Sequence, residues 1–432
     1  EPESYSSEAI QLEHDIRRYI NWQERSGVPF NVEKARELYK QVKADYDQKW
    51  ETVKDLFPDK VEEIVFVPKV NSTKFGYQKG VPKTKTIITA FNPGSRQQLI
   101  DYFKDKYKWE PVDFTEKGAP EIGYDVLINM PYDEAKILAE LFDIKKLMGM
   151  LFDGNNGWLK SCTNGRIHGR VITNGAISGR MTHFSPNVAQ VPNSKAYKGR
   201  ECRDLFFAGS EDMVFVDADA SALELRLFAH FLSRWDDGEY GNIVLNGDIH
   251  TENMKAFGLT DRNKAKTLIF AMLYGCGPAK AGSIVDPKLP IEASKQAGRE
   301  LINNFKRARP AYANLLEAVY AVLNSRGYII GLDGRKLIPR SKHAGLNTLI
   351  QGAGAVLMKK ATVDFQSKLE ALGGYPALHI HDAISCIVPR SNGEEAGKSI
   401  VECIKNAGVY FKITVPMSGA YGVGDTWGGA HG

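Results

Sequence analysis

Residues 214–226 constrain the fold of this chain more than any other stretch. They begin with the β-branched and aromatic run Val-Phe-Val, pass through Asp217 and Asp219, and continue with leucines at helical spacing. This pattern predicts a buried strand of about four or five residues, followed by a helix over 222–232. Asp219 then lies where the strand stops, and a carboxylate held there suits a divalent cation that prefers oxygen ligands. Alternatively, both aspartates are turn or helix-capping residues.

A second stretch, residues 260–275, combines cations and aromatic residues at helical spacing. Thr260 or Asp261 can cap a helix that Gly275 can end. One face of this helix repeats every fourth residue and consists of Arg262, Lys266, Phe270 and Tyr274. Cations near a helix N-terminus need an anion, and eight helical residues span roughly 12 Å, about the length of a nucleotide. The stripe predicts a nucleoside triphosphate site; the alternative is a solvated basic face with buried aromatic residues.

Two further stretches carry polar residues at unusual places. In residues 375–388, His381 and Asp382 interrupt apolar residues of strand type, which predicts either one alternating strand or a hairpin bent at this pair. Residues 173–192 include Gly179, Arg180 and Gln190 and show neither helical period nor alternation. This second stretch predicts an ordered loop of hydrogen-bonding side chains.

In this order the motifs resemble the family A DNA polymerases, the DNA polymerase I family. The matching segments are Ser-Gly-Arg and Pro-Asn-Val-Ala-Gln-Val-Pro within 178–192, Asp-Ala-Ser-Ala-Leu-Glu-Leu-Arg of 219–226, the Arg-Lys-Phe-Tyr stripe and the His-Asp pair. Residues 245–250 and 331–336 are more similar still to replicative polymerases of short-tailed bacteriophages. The similarity is strong from residue 173 onward and weaker before it. It implies an α+β chain with the right-hand polymerase fold, which has an antiparallel-sheet palm and mainly helical fingers and thumb.

The resemblance also implies how the chain is divided. An N-terminal segment packing on the palm, the thumb, the first part of the palm, the fingers and the second part of the palm correspond to residues 1–30, 31–153, 154–232, 233–342 and 343–432. Within them, residues 12–41 predict two helices broken near Gly27, and 133–152 predict an amphipathic helix. No Asp-x-Glu exonuclease pattern precedes this region, so no proofreading exonuclease is expected in this chain.

Composition limits the class of protein independently. With 432 residues and 43% hydrophobic content the chain can bury a large core, and its formal charge of +4 is mild for a nucleic-acid-binding protein, so any basic footprint is local. Five scattered cysteines without a Cys-x-x-Cys pair favour the reducing cytoplasm over a zinc site or a disulfide framework. Without a long apolar run or a signal peptide, no membrane association is expected. The first residue is Glu1 rather than Met, as in a fragment.

The basic footprint is predicted in residues 64–100, which contain no acidic residue. Lysines and one arginine alternate there with aromatic residues, a composition that can lie along phosphates; the alternative is a flexible basic loop. Residues 91–99 resemble the thumb motif of the family that contacts the duplex. Related phage enzymes have a long thumb insertion for a host processivity protein, whereas only this short segment stands in its place. A thioredoxin-type partner is therefore not predicted, and a monomer is expected.

The resemblance implies an activity and a metal site. The expected reaction is template-directed addition of dNTPs to a primer 3′-hydroxyl with release of pyrophosphate. Two Mg²⁺ ions would be held by Asp219, Asp382 and the carbonyl oxygen of Ala220. His250, Arg262 and Lys266 would balance phosphate charge, with Lys266 a candidate acid for the pyrophosphate. One departure stands out: Ala383 follows the His-Asp pair, where the family usually has Glu.

Further roles follow from the same resemblance. Phe270 and Tyr274 would frame the nascent base pair, and Glu224 would pack against the sugar and exclude a 2′-hydroxyl. The expected contacts with primer or template come from Arg180, Gln190, Asn347, Gln351 and His381. His343, Asn347 and Gln351 are spaced to share one helical face, which could read minor-groove acceptors.

Two rival functions stay open on sequence grounds. A non-catalytic nucleic-acid-binding relative would have no need for Asp219, Asp382 and Lys266 together. A single-subunit RNA polymerase shares the palm chemistry, but Glu224 favours a deoxynucleotide substrate.

Overall fold

The computed structural model describes residues 5–111, 114 and 118–431. By internal contacts the chain divides into two compact units. The large unit consists of Glu1–Gln41 and Leu147–Gly432, and the small unit is Val42–Lys146. Within the described ranges, no helix is both long and apolar enough to cross a membrane.

The chain begins with helix α1 (Ser7–Ser26), the short strand β1 (Val28–Pro29) and helix α2 (Val32–Leu56). The Ser6 side chain caps α1 by accepting a hydrogen bond from the backbone N–H of Ala9 at 3.0 Å. Gly27 ends the helix with φ of 60°, a left-handed value that glycine adopts without strain. The two helices predicted from the sequence, with a break near Gly27, are therefore confirmed.

The small unit pairs a hairpin with a helical core. Its elements after α2 are β2 (Lys60–Phe66), β3 (Lys83–Thr89), α3 (Arg96–Tyr107), α4 (Tyr124–Leu127) and α5 (Asp133–Met148), the last of which runs on into a π-helical turn, Gly149–Asp153. Strands β2 and β3 are antiparallel, so the alternative of a plain flexible basic loop is wrong for these residues. Phe57, Leu99, Phe103 and Leu138 are fully buried in the core, and the predicted amphipathic helix α5 supplies part of it.

The remainder of the large unit contains both helices and strands, most of the strands being short. Its helices are α6 (Trp158–Ser161), α7 (Gly199–Asp204), α8 (Leu223–Asp236), α9 (Glu239–Asn246), α10 (Ile249–Phe257), α11 (Arg262–Leu273), α12 (Pro278–Val285), α13 (Ile291–Ala308), α14 (Pro310–Arg326), α15 (Gly345–Ala371), α16 (Gly393–Tyr410) and α17 (Trp427–Ala430). Its strands are β4 (Cys162–Thr163), β5 (Arg166–Ile167), β6 (Arg170–Ile172), β7 (Thr182–Phe184), β8 (Met213–Ala220), β9 (Ile329–Ile330), β10 (Lys336–Leu337), β11 (Tyr375–Ile380), β12 (Ala383–Pro389) and β13 (Gly419–Gly424). Single 3-10 turns occupy Val188–Gln190, Lys342–Ala344 and Arg390–Asn392.

A four-stranded antiparallel sheet in the order β11-β12-β8-β13 forms the centre of the large unit. Strand β8 has eight residues and is buried from Val214 to Ala218, so it is longer than the sequence pattern predicted. Asp217 and Asp219 both lie within it, and the alternative that they are turn or helix-capping residues is wrong. Helices α15 and α16 pack together beside this sheet, and Leu357 and Ile400 are fully buried in the core.

Residues 233–342, for which mainly helical fingers were predicted, contain helices α9 to α14 and the short strands β9 and β10. Helix α11 begins after Asp261, whose side chain accepts hydrogen bonds from the N–H groups of Asn263 and Lys264 at 2.8 and 3.2 Å. Asp261 rather than Thr260 is thus the N-cap. The helix ends at Leu273, and Gly275 follows with φ of 80°.

The stretch predicted as an ordered loop, residues 173–192, is more regular than its sequence pattern indicated. Strand β7 lies within it and pairs with β6, with Val171 opposite His183. Strands of three residues are too short to show alternation in a sequence, which explains why the prediction missed this hairpin.

Candidate active site

The two predicted metal ligands lie side by side at one end of the central sheet. Asp219 is next to last in β8 and pairs with Ala383 of β12. Asp382 lies in the turn between β11 and β12, and its carbonyl oxygen accepts a hydrogen bond from the N–H of Ala220 at 3.0 Å. His381 takes a left-handed φ of 56° in this turn. The hairpin alternative for residues 375–388 is correct, and the single alternating strand is wrong.

The electrostatics of this strand end favour a bound cation. The side chain of Asp219 is open to solvent, yet partial burial and the carboxylates of Asp382 and Asp217 raise its pKa to about 7, against a smaller opposite effect of His431. A divalent ion bound here would relieve the repulsion among these carboxylates. Over the described residues, no cluster of three or more His, Cys, Asp or Glu side chains could hold a metal ion, which agrees with Ala383 in place of a third carboxylate.

A buried carboxylate that the predicted site did not include lies two residues before Asp219 in the same strand. Asp217 is 4% exposed. Its Oδ1 accepts a hydrogen bond from the Ser385 hydroxyl at 2.5 Å. Its Oδ2 lies 2.6 Å from Nδ1 of His431. Alternation in a strand places residues two apart on the same face, so the spacing of Asp217 and Asp219 was an available signal for this role. The partner His431 had no such signal, because it lies 214 residues away in the chain.

The cations of α11 differ in how they are held. Arg262 forms a two-point ion pair with Asp248, with Nε–Oδ2 and Nη2–Oδ1 distances of 2.8 and 2.9 Å. The hydrogen bond from Arg262 holds the pKa of the Asp248 carboxyl well below its usual range. Lys266, one turn further along, is exposed and has no ion-pair partner in the part of the chain that the structure describes. It is therefore a positive charge available to an anion.

The aromatic half of the stripe faces other predicted residues. The rings of His250 and Phe270 have centroids 6.3 Å apart. Nδ1 of His250 is buried without a hydrogen-bond partner among the described residues. Burial lowers the pKa of His250, as do the nearby charges of Lys266 and Arg262. The lowered pKa of His250 favours its neutral form.

Glu224 joins three elements of the site. It lies in the first turn of α8, and its carboxylate oxygens accept hydrogen bonds from the Tyr274 hydroxyl at 2.9 and 2.8 Å. Nη2 of Arg180, from the loop before β7, donates to the same carboxylate at 3.0 Å. Burial and the bond to Glu224 raise the pKa of Tyr274, so its hydroxyl stays protonated as the donor. The structure thus brings together three residues that the sequence placed on separate motifs.

The residues predicted to contact DNA are spread over the large unit. Gln190 is exposed at the end of a 3-10 turn, while Asn347 and Gln351 are half-buried on α15. Oδ1 of Asn347 is buried with no hydrogen-bond partner among the described residues. His381 is exposed beside Asp382. His343 lies in the 3-10 turn before α15 rather than within the helix, and its Nδ1 is 3.3 Å from the Tyr320 hydroxyl, so the predicted three-residue helical face has only two members.

Comparison with known proteins identifies the class that this fold and site define. The family model for DNA polymerase family A matches residues 77–429. The chain is 33% identical to the DNA-directed DNA polymerase of Enterobacteria phage T3, over 94% of this chain and 67% of that protein. It is 34% identical to the DNA-directed DNA polymerase of Escherichia phage T7, over 82% of this chain and 59% of that protein. The chain belongs to DNA polymerase family A.

A solved structure bears on the fold. The POL domain of Pol1 from M. smegmatis, in complex with DNA primer-template and dNTP, matches with a TM-score of 0.75 at 21% identity and covers 97% of this chain and 70% of that one. The predicted right-hand polymerase fold, with helices and an antiparallel sheet, is confirmed. The chain spans about two thirds of the T3 polymerase and less of the T7 polymerase.

Proposed function

We propose that this chain carries out template-directed DNA synthesis, adding dNTPs to a primer 3′-hydroxyl with release of pyrophosphate. The observation that carries the proposal is the pair Asp219 and Asp382 at one end of the central sheet, within a chain of DNA polymerase family A. Phosphoryl transfer requires positioned reactants and neutralised charge more than covalent chemistry by the protein. A carboxylate pair and a free lysine meet that requirement. The proposed palm, fingers and thumb keep the boundaries predicted from the sequence.

We propose two Mg²⁺ ions as the cofactor, held by Asp219, Asp382 and the carbonyl oxygen of Ala220. The residues present fit this group, because burial and the neighbouring carboxylates raise the pKa of Asp219 to about 7, and a divalent ion would relieve the repulsion among these carboxylates. When bound, such ions supply charge neutralisation at the primer hydroxyl and at the triphosphate. The protein's contribution is to hold one carboxylate on a hydrogen-bonded strand and the other in the adjacent turn, so that both are in place before the reaction.

Phosphate recognition is assigned to α11 and the start of α10. Lys266 would meet the triphosphate directly and is the candidate acid for the leaving pyrophosphate. Arg262 is already paired with Asp248, so it would contribute a shared rather than a free charge. His250 presents a ring nitrogen without a partner next to Phe270 and would donate or accept at a phosphate or sugar oxygen. Phe270 and Tyr274 would frame the base pair.

Sugar selection favours DNA over RNA synthesis. Tyr274 and Arg180 hold the Glu224 carboxylate from two sides, which fixes the side chain in one position. A fixed carboxylate can exclude a 2′-hydroxyl sterically. The rival functions, a single-subunit RNA polymerase and a non-catalytic nucleic-acid-binding protein, do not explain this arrangement together with the carboxylate pair.

DNA contact is proposed for the hairpin of the small unit and for the polar residues of the large unit. Lys83 and Lys85 of β3 lie on the same hairpin face as Ile64 and Phe66 of β2, and all these strand residues except Phe66 are exposed. Lys83 Nζ also lies 5.4 Å from the centre of the Tyr77 ring. Such a basic and aromatic surface fits a phosphate backbone. Arg180, Gln190, Asn347, Gln351 and His381 are proposed to contact primer or template near the carboxylates.

The remaining partner assignments are proposals of the same kind. The small-unit hairpin gives no reason to add a thioredoxin-type partner, and a monomer remains the expected state. Location in the cytoplasm, that of a host cell if a phage encodes the chain, is supported by the five scattered cysteines, which include no Cys-x-x-Cys pair.

The test is primer extension by the purified chain, with dNTPs or rNTPs and with or without Mg²⁺. We expect Mg²⁺-dependent extension with dNTPs and little with rNTPs. Extension with rNTPs alone would favour the RNA polymerase, and binding of primer-template without extension would favour the non-catalytic relative. A 3′-mismatched primer should stay intact, because no exonuclease is predicted in this chain.

A further inference from the structure

We infer that Arg335 is a positioning residue, which holds the loop before β7 so that Arg180 can pair with Glu224. This inference rests on the proposed function, because it concerns the side chain to which sugar selection is assigned. Arg335 itself lies in the turn between β9 and β10, and the sequence analysis gave it no role. Three sets of contacts connect Arg335 to Glu224.

The first set is an ion network around Arg335 that is almost closed to solvent. Arg335, Asp333 and Lys359 are each 1% exposed. The Asp333 carboxylate accepts from Nε of Arg335 at 2.9 Å and from Nη2 at 2.7 Å. Nη2 also donates to Glu13 of α1 at 2.9 Å, and the Lys359 ammonium of α15 donates to the same Glu13 oxygen. Two carboxylates, Asp333 from the same turn and Glu13 from α1, therefore hold the guanidinium plane, and Lys359 of α15 in turn holds Glu13.

The second set joins this fixed plane to the loop. Nη1 of Arg335 donates to Oδ1 of Asn174 at 3.4 Å. Gly179 lies directly above the same nitrogen, since a Cβ built on it would be 2.7 Å from Nη1. Gly179 also has a left-handed φ of 79°. The guanidinium thus packs against the backbone of the loop at Gly179, where only a residue without a side chain fits.

The third set connects the loop to Glu224, the residue to which sugar selection is assigned. The N–H of Gly179 donates to the carbonyl of Ala176 at 2.8 Å, and the N–H of Ala176 donates to the carbonyl of Arg180 at 3.1 Å. These bonds close the turn and aim Arg180 at Glu224, which it reaches at 3.0 Å. The contact of Arg180 with Glu224 therefore depends, through one turn, on the buried Arg335.

A role limited to stability is the competing explanation, and it makes a different prediction. Loss of folded protein lowers the rates with dNTP and rNTP by the same factor. The ratio of kcat/KM for dNTP to kcat/KM for rNTP, measured on one preparation, is independent of the folded fraction. A change in that ratio reports the geometry at Glu224.

The experiment measures this ratio for Arg335→Lys, which keeps the charge but loses the planar fork, and for Asn174→Ala, which removes the hydrogen bond to the loop. We expect the ratio to fall about tenfold for Arg335→Lys, which is the size of one hydrogen bond to a charged group. For Asn174→Ala we expect a smaller fall. In an Arg180→Ala background, Arg335→Lys should lower the ratio no further, because the connection is already cut. The matched control is Arg309→Lys, another arginine with little exposure, which pairs with Glu239 and should leave the ratio unchanged.

A second readout does not need catalysis. Hydrogen exchange at the amides of Ala176 and Gly179 should be faster in Arg335→Lys than in the wild type, and unchanged in Arg309→Lys. An unchanged ratio together with unchanged exchange at these amides would overturn the inference. If the wild-type chain incorporates no dNTP, the proposed function fails, while the exchange measurement still decides whether Arg335 orders the loop.

Discussion

The carboxylates of the central sheet and the cations of α11 are held in opposite ways. Asp219 is fixed by strand pairing within β8, Asp382 is held in the adjacent turn by a backbone hydrogen bond from Ala220, and their charges repel each other. Lys266 stands exposed on a helix and has no partner within the described residues. The sheet therefore fixes the position of the negative charges. Helix α11, by contrast, leaves a positive charge available to bind the phosphates of a ligand.

The largest effect should come from the sheet. Asp219→Asn and Asp382→Asn should each lower primer extension on the order of 10³-fold or more, because the charge that holds metal is lost. Primer-template binding should change little, since the carboxylates do not attract DNA. Single-turnover extension and a binding titration measure the two effects, with Asp212→Asn, at an exposed position just before β8, as control. Near-normal extension by either variant would remove the metal-site assignment.

The helix should show a smaller and uneven effect. Lys266→Ala should lower kcat/KM for dNTP by about 10²-fold to 10³-fold, the size seen when one preorganised charge donor is lost. Arg262→Ala should cost less, because the arginine is already engaged with Asp248. Steady-state kinetics on both variants gives the comparison. An Arg262 effect equal to or above that of Lys266 would show that the ion pair opens during the reaction.

Sugar selection at the 2′ position should depend on Glu224. Glu224→Ala should raise kcat/KM for rNTP relative to dNTP by roughly tenfold to a hundredfold, because the shortened side chain leaves space for the hydroxyl. Competition between dNTP and rNTP on one primer measures the change. If the preference is unaltered, the gate lies at another residue.

Selection at the 3′ position should depend on Phe270. A dideoxynucleotide lacks the hydroxyl that bonds back to its own phosphates, and an unmet polar group costs roughly 1 to 3 kcal/mol. The wild-type chain should therefore discriminate against ddNTPs by about tenfold to a hundredfold, and Phe270→Tyr should largely erase this while changing dNTP incorporation little. The ratio of kcat/KM for dNTP and ddNTP in both proteins is the measurement. A wild-type ratio near one would contradict the argument.

The sequence predicted the parts of the site that depend on local periodicity. The strand end at Asp219, the N-cap at Asp261 and the stripe on α11 all follow from spacings of two or four residues. Contacts between distant segments could not be predicted in this way. The ion pair of Arg262 with Asp248 and the bond between His431 and Asp217 depend on tertiary packing.

Buried charge was the hardest feature to foresee. Arg335 is bonded to Glu13, 322 residues earlier in the chain, and nothing in the local sequence separates it from an exposed arginine. The β2–β3 hairpin was missed for a different reason: its residues are exposed on both faces, so alternation gave no buried side to detect.

We propose that Asp219 and Asp382 together hold the catalytic metal ions. The most direct measurement is the number of Mn²⁺ ions bound per chain, by electron paramagnetic resonance, in a complex with a dideoxy-terminated primer-template and dNTP. The account predicts two ions in the wild type and at least one fewer in both Asp219→Asn and Asp382→Asn. The same number of ions in the wild type and in both variants would contradict it.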